Sequence, residues 1–234
     1  MPEPEPEPRR GRVHDAEGAR EAILNAAEAV FAEHGFDGAR IDAIAKASGY
    51  NKSLLFQYFD DKLGLYAAVL KRAERQMGEL EAQFIELIGA LLADETIASH
   101  AHQFRTLLET ALRTFFDYLV EHPRLLRIIV WEQAEGWQSY VNLASQFDTE
   151  NVEQFRTLFS RAQRAGLLRS GVDPFIQFVM VEQMCWSYLA SIPLYQALLP
   201  GEDLSSARAL ARAREQIVAF FIAGMMVDPP ETKR

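Results

Sequence analysis

Lys52, Ser53, Phe56 and Gln57 stand one and four residues apart in the stretch SGYNKSLLFQYF, residues 48–59. On a helix this spacing gathers an ammonium, a hydroxyl, an aromatic ring and a carboxamide on one face, while Leu55 and Phe59, four apart, share another. An ammonium can meet a phosphate, a hydroxyl and a carboxamide can read base edges, and a ring can meet a thymine methyl. Tyr58 lies to one side, its hydroxyl within reach of a phosphate. The stretch thus carries two sets of apolar and aromatic side chains, one for the protein's own core and one for a partner.

Presenting such a face requires a short, well-started helix held by its neighbours. Asn51 supplies a good N-cap, because its side-chain oxygen can take an orphan backbone N–H, and a helix over 52–59 follows. A helix over 41–47 precedes it, with Ile41, Ile44 and Ala45 inward, and Ser48-Gly49 breaks it. Before that, Ile23, Ala26, Ala27, Val30 and Phe31 follow the helical apolar period over 16–34, and Gly35 stops the run. Helix, Gly-containing break and capped helix form a helix-turn-helix, with the third helix as the element that enters a major groove. Asp60-Asp61 ends that helix and starts a fourth, both carboxylates near its positive end, running through Leu65, Ala68, Val69 and Arg72 toward Leu80.

Beyond it, periodicity predicts further helices over 99–121, 124–133, 139–165, 174–198 and 203–225, about nine in all, and no alternation of strand type. The fold class is all-α. Residues 1–15, a Pro-spaced acidic tract followed by a basic cluster, cannot build a core and are expected to be disordered. The domain division expected is 1–15 as tail, 16–62 as the helix-turn-helix domain and 63–234 as a larger helical domain.

Charge and composition narrow the function. The chain of 234 residues carries a net −9, but residues 9–80 balance 11 Lys and Arg against 11 Asp and Glu, so the acidity lies elsewhere. The first third is the part that approaches a polyanion cheaply. No apolar run reaches the ~20 residues of a membrane span, and the first residues have no apolar signal segment. Cys185 is the single cysteine, set in an apolar run that marks it as core; no internal disulfide can form, and a cytoplasmic setting is expected. His100 and His102, two apart, diverge on a helix, so a shared metal is not expected. No phosphate loop, dinucleotide fingerprint or nucleophile elbow is present; neither catalytic residues nor a cofactor are expected.

Residues 20–66 resemble the DNA-binding domain of TetR-type transcriptional regulators. The matching positions are Ile23, Leu24, Ala27, Phe31, Gly35, Phe36, Ile44, Ala45, Gly49, Lys52, Leu55, Phe56, Tyr58, Phe59, Lys62 and Leu65. GFDGARIDAIA and DPFIQF suggest the RutR-like branch of that family. The resemblance implies a dimeric regulator, of the repressor kind, that binds double-stranded DNA at a palindromic operator and is released by a small-molecule effector of unknown identity. Arg40, Asn51, Lys52, Ser53, Leu54, Phe56, Gln57, Tyr58 and Lys62 are then the candidate DNA-binding residues. Two departures bear on the DNA sequence read: Ala39-Arg40 replaces a frequent pair of threonines, adding a cation, and Leu54 and Phe56 replace residues that carry hydroxyls. Arg9, Arg10 and Arg12 could form a minor-groove arm or a plain basic tail.

In that family the C-terminal region holds the effector cavity. Here Trp131, Trp137, Tyr140, Gln183, Met184, Trp186 and Tyr188 stand among isolated polar groups, Glu132, Gln133 and Glu182, and are the candidate ligand-binding residues. The competing reading gives them to the core or to a dimer interface. The last two helices resemble the family's dimerisation pair, with Phe175, Phe178, Val179, Ile217, Phe220 and Phe221 as candidate contacts. Two rival functions remain: a helical enzyme or small-molecule-binding protein with a relic head, and an architectural DNA-binder without ligand.

Overall fold

The computed structural model describes residues 10–93, 101–146 and 150–227, the side chains of 10–15, Leu80, Gln146 and Asn151 excepted. Arg9 and His100 lie outside the described residues. Ten α-helices are formed among those described: α1 (Arg10–Gly38), α2 (Ile41–Ser48), α3 (Lys52–Phe59), α4 (Lys62–Leu92), α5 (Ala101–Glu121), α6 (Pro123–Ala134), α7 (Gln138–Leu143), α8 (Glu150–Arg164), α9 (Pro174–Leu198) and α10 (Ala207–Met225). The only extended pairing among the described residues is an isolated bridge between Leu168 and Met226.

Three boundaries differ from expectation. Residues 10–15, assigned to a disordered tail, are the start of α1; the last proline of the acidic tract is Pro8, and nothing after it forbids helical φ. The stretch 139–165 is not one helix: α7 ends at Leu143, a 3-10 turn covers Ala144–Gln146, and α8 starts afresh at Glu150. The charges announce that restart, with Glu150 and Glu153 in the first turn of α8 and Arg161 and Arg164 in the last, each sign complementing the helix dipole. The fourth helix continues to Leu92, well past Leu80.

The chain divides into two units. One takes in the chain to Glu74 together with Arg127–Ala144; the other takes in Arg75–Leu126 and the chain from Ser145 on. Residues 127–144, expected in the larger domain, therefore fold with the helix-turn-helix.

In the first unit α1 packs on α2 and α2 on α3. Ile23, Leu24, Ala27 and Phe31 of α1, Ile44 of α2, Leu55 and Phe59 of α3, and Leu65 and Tyr66 of α4 are buried. Helical φ/ψ fails at Gly35 (φ 69°, ψ 179°), where α1 kinks. A side chain there would be strained by conformation and would also press on the Trp131 ring at 3.1 Å and Glu135 Oε1 at 3.0 Å. Arg72 ties α4 to α1: it pairs with Glu21 at 2.6 Å and with Glu28, and donates to Asn25 at 2.7 Å.

The second unit has its own core, built from Ile88 of α4, Phe104 and Phe116 of α5, Phe159 of α8, Val181 and Cys185 of α9, and Ile217 and Phe221 of α10. Cys185 is core, as its surroundings in the sequence implied, and burial pushes its thiol up to about 12. Asp173 caps α9 by accepting from the Phe175 and Ile176 N–H groups, with Pro174 in the first turn, and Ser206 caps α10 through the Ala209 N–H. Arg113 with Glu215 (2.9 Å) and Arg214 with Asp117 (2.5 Å) join α5 to α10.

Candidate functional site

The turn before α3 is built from local chemistry. Gly49 ends α2 in the left-handed conformation at φ 78°, its N–H returning to the Ala45 carbonyl. Asn51 then takes extended angles, and its Oδ1 accepts the Leu54 N–H at 2.9 Å. The cap fixes where α3 starts and therefore which residues its faces carry. Leu55 and Phe59 are turned inward, 1% and 5% exposed, whereas Phe56 is 42% exposed, costly for a ring facing only water. Lys52, Ser53 and Gln57 are exposed beside it, and Leu54 and Tyr58 are half-buried. The face predicted for a partner is bare.

The cations around it differ in their attachments. Lys52 Nζ lies 2.5 Å from Asp42 Oδ1, both side chains well exposed, a pairing that an incoming phosphate can displace at little cost. Arg40 is exposed at the N-cap of α2 with no side-chain capping bond. Lys62 is engaged: its Nζ donates to the Asp37 carbonyl at 3.2 Å and rests 4.8 Å from the Phe36 ring centroid. Behind α3, the Arg20 guanidinium lies 5.3 Å from the Phe59 ring.

The turn leaving α3 is tight. Asp60 has φ 64° and ψ −61°, and the Asp61 N–H reaches back two residues to the Phe59 carbonyl at 2.7 Å, a γ-turn of the strained hand. Asp61 caps α4 through the Gly64 N–H at 2.7 Å. A Cβ at Gly64 would stand 2.1 Å from the Phe59 carbonyl oxygen, so glycine is required there.

The seven residues predicted to bind a ligand are not brought to one place. Trp131 donates its Nε1–H to the Ala32 carbonyl at 3.3 Å in the first unit, beside Arg127, whose Nε donates to the same carbonyl at 3.0 Å. Trp137 and Tyr140 meet edge to face, also in the first unit. Between them Glu132 is buried: its Oε1 accepts the Tyr66 hydroxyl at 2.6 Å and its Oε2 accepts the Tyr140 N–H at 3.1 Å. Burial first, and then the bond to Glu132, raise the Tyr66 pKa well above the usual phenol range. Glu135 is likewise held up, by burial and then by the charges of Asp37 and Glu132, with Lys62 opposing. Gln183, Met184, Trp186 and Tyr188 lie half-buried on α9, the last three packed on the second unit's core.

The second unit does contain a cavity, of about 290 Å³, and none of those seven residues lines it. Its walls come from α4, α5, α8 and α9, with Phe221 of α10, and are apolar and aromatic apart from a few groups, chiefly Glu81 and Glu182. Phe84, Phe115, Phe155 and Phe159 are lining residues that sequence reasoning missed. The legible signal was Phe175, Phe178 and Glu182 at i, i+3 and i+7, a carboxylate on an aromatic stripe of one helix.

The predicted dimer contacts also divide. Phe175, Val179 and Phe220 are exposed and Phe178 is half-buried, lining the cavity with Phe175. Ile217 and Phe221 are corrected: both are buried in the chain's own core, since they occupy the face of α10 turned to α5 and α9. Ile176, Met180, Leu194, Tyr195 and Leu198 are exposed instead. With Val181, Cys185 and Leu189 buried, α9 is apolar on both its inner and outer sides.

Residues 23–69 match the model of bacterial regulatory proteins of the tetR family, and residues 105–220 that of the tetracyclin repressor-like C-terminal domain. The chain is similar to the HTH-type transcriptional repressor SCO4008 of Streptomyces coelicolor, 27% identical over 193 residues, covering 81% of this chain and 87% of the relative. It is 43% identical to the HTH-type transcriptional regulator RutR of Escherichia coli, but over 53 residues, 23% of this chain and 25% of that one. A crystal structure of a TetR family transcription regulator from Marinobacter aquaeolei superposes with a TM-score of 0.58 at 20% identity, covering 93% of this chain and 100% of the other.

Proposed function

This chain belongs to the TetR family of bacterial regulatory proteins, and from that premise we propose that it is a ligand-responsive, DNA-binding transcriptional repressor acting as a dimer on a palindromic operator. The observation that carries the reading is the bare face of α3, where an aromatic ring, an amide, a hydroxyl and an ammonium stand exposed on a helix whose other side is buried. Phe56 and Gln57 serve as base contacts, and Lys52, Arg40 and Tyr58 as phosphate contacts. Asn51 acts by placing the helix start, and Leu54, half-buried, by packing beside the contact face. Lys62 acts as a positioning residue through Asp37 and Phe36.

A second copy of the chain supplies the second α3. The outer side of α9, with Ile176, Val179 and Met180 exposed, and Phe220 on α10 favour a four-helix contact between subunits. Half-sites one helical turn apart, roughly 34 Å, then match two recognition helices. The effector occupies the cavity of the second unit, and its binding favours a state of the dimer in which the two α3 helices no longer fit that spacing; release follows from the difference in affinity between the states. Work at an operator places the protein in the cytoplasm, and no described helix is long and apolar enough to cross a membrane.

The test is an electrophoretic shift with the DNA upstream of the protein's own gene, against random DNA of equal length, across a salt series. A saturable complex on the upstream DNA that survives moderate salt is expected. Equal binding to both DNAs at every salt concentration overturns the reading.

A further inference from the structure

We infer that each operator half-site offers a thymine methyl to Phe56 and an adenine, in the same or the next base pair, to Gln57, so that what α3 reads is A·T. This rests on the proposal that the bare face of α3 enters a major groove.

The first observation is the ring. Phe56 stands exposed on the contact face, and its side chain is carbon and hydrogen alone. It has no atom to exchange a hydrogen bond with a base edge, and the apolar group that the major groove displays is the thymine 5-methyl. Over any other base the ring would cover donors and acceptors and cost them their water.

The second is the amide. Gln57 is exposed beside Phe56, and both are neighbours of Ser53, at i+3 and i+4. Successive residues rise about 1.5 Å along a helix and stacked base pairs about 3.4 Å, so the two side chains meet one base pair or two adjacent ones. A carboxamide holds one donor group and one acceptor. Adenine shows the complement, the N6 amino group and the N7 acceptor, whereas guanine shows two acceptors there.

The third is the placing of the cations. The sequence of α3, KSLLFQYF, has no arginine and a single lysine. That lysine is turned to α2: Lys52 Nζ lies 2.5 Å from Oδ1 of Asp42, in the first turn of α2. In a helix-turn-helix the first helix crosses the DNA backbone, so a phosphate, rather than guanine O6 and N7, takes the place of Asp42. Arg40, exposed at the N-cap of α2, belongs to that backbone-crossing element too. Arg and Lys are the usual readers of guanine, and here they are kept to the phosphates. The base edges are left to Phe56, Gln57 and the Ser53 hydroxyl, which suits either kind of pair.

Selection of DNA from a randomised duplex library by the full chain tests this, followed by small chemical changes in the selected half-site. A recurrent thymine is expected whose exchange for deoxyuridine, which removes the methyl alone, weakens wild-type binding about fourfold in one half-site and about tenfold or more in both. Phe56→Ala should bind the thymine and deoxyuridine forms equally. Should that variant fail to fold, Phe56→Gln makes the same comparison. At the adenine, 7-deazaadenine removes the N7 acceptor and should weaken the wild type about fivefold, while Gln57→Ala should not register the change.

A selected half-site without a methyl-sensitive thymine overturns the inference and leaves the repressor reading standing, because selective binding has then been seen. A methyl effect that persists without the Phe56 ring also overturns it, as does a wild type indifferent to 7-deazaadenine. No enriched sequence at all overturns the repressor reading, and the inference with it.

Discussion

Lys62 reaches back from the first turn of α4 to the Asp37 carbonyl, 25 residues earlier, at 3.2 Å. Its ammonium also lies against the Phe36 ring, which in turn contacts Tyr66 at 5.0 Å between centroids. A residue whose position suggested a phosphate contact thus fastens the end of α1 to the start of α4, and its predicted behaviour changes accordingly.

Lys62→Ala should lower the unfolding free energy by about 1 kcal/mol, as expected for loss of a charge-assisted hydrogen bond and a cation–π contact. Operator affinity should fall with little change in its salt dependence. A slope reduced by about one unit in a log–log salt titration would return Lys62 to the phosphate contacts.

Lys52→Ala and Phe56→Ala touch exposed side chains, so both should leave stability within about 0.5 kcal/mol of wild type in urea melts. Their DNA effects should differ in kind. Loss of Lys52 weakens binding to all sequences and lowers the salt slope, while loss of Phe56 costs about 1–3 kcal/mol on the operator and little on random DNA.

Gly64→Ala places a methyl carbon 2.1 Å from the Phe59 carbonyl oxygen, against backbone that cannot rotate away. The neighbouring γ-turn at Asp60 leaves no slack, so α3 must shift or the turn must open. A destabilisation of more than about 2 kcal/mol is expected in urea unfolding, with loss of operator binding. Asp60→Gly, which relieves a positive φ, should fold normally.

Phe220→Glu puts a charge on the most exposed large apolar residue of α10, 67% accessible in the single chain. Light scattering should show a monomer in place of a dimer, with the helical content of each chain unchanged. A dimer that persists would move the contact away from α10.

Glu182 sets a pH dependence whose sign follows from its raised pKa. The folded chain keeps its carboxyl protonated up to about 8, while the unfolded chain releases that proton near 4.5. The stabilisation is complete below the unfolded value and is lost as pH climbs through the folded one. Glu182→Gln has no proton to lose, so its advantage in Tm over wild type should grow by about 5 °C or more between about pH 5 and pH 9. A constant difference across that range would show that the carboxyl is not held protonated.

The head of the molecule was legible because its signals are short-range. Gly35, Gly49 and Asn51 each announce a backbone conformation without reference to anything distant, and the spacing of Leu55 and Phe59 then assigns the faces of α3. The strained turn at Asp60 carries no such mark, since aspartate rarely adopts positive φ and does so here between a tightly packed Phe59 and Gly64. The cavity was hidden for another reason. Its phenylalanines come from five helices far apart in sequence, and only packing reveals which of many aromatic residues face one space. Trp131, Trp137 and Tyr140 had the composition of a ligand site, but their segment is bound to the head through Ala32 and Tyr66.

The missing side chain at Gly35 lets Trp131 and Glu135 lie directly against the kink of α1. The head is therefore not a detachable cassette that closes on itself at the start of α4. A hybrid regulator made by grafting only residues 10–74 onto a foreign body would strip the Tyr66 hydroxyl of its acceptor and uncover the kink. The transplant should succeed when residues 127–144 travel with it, as a discontinuous module exchanged in two pieces.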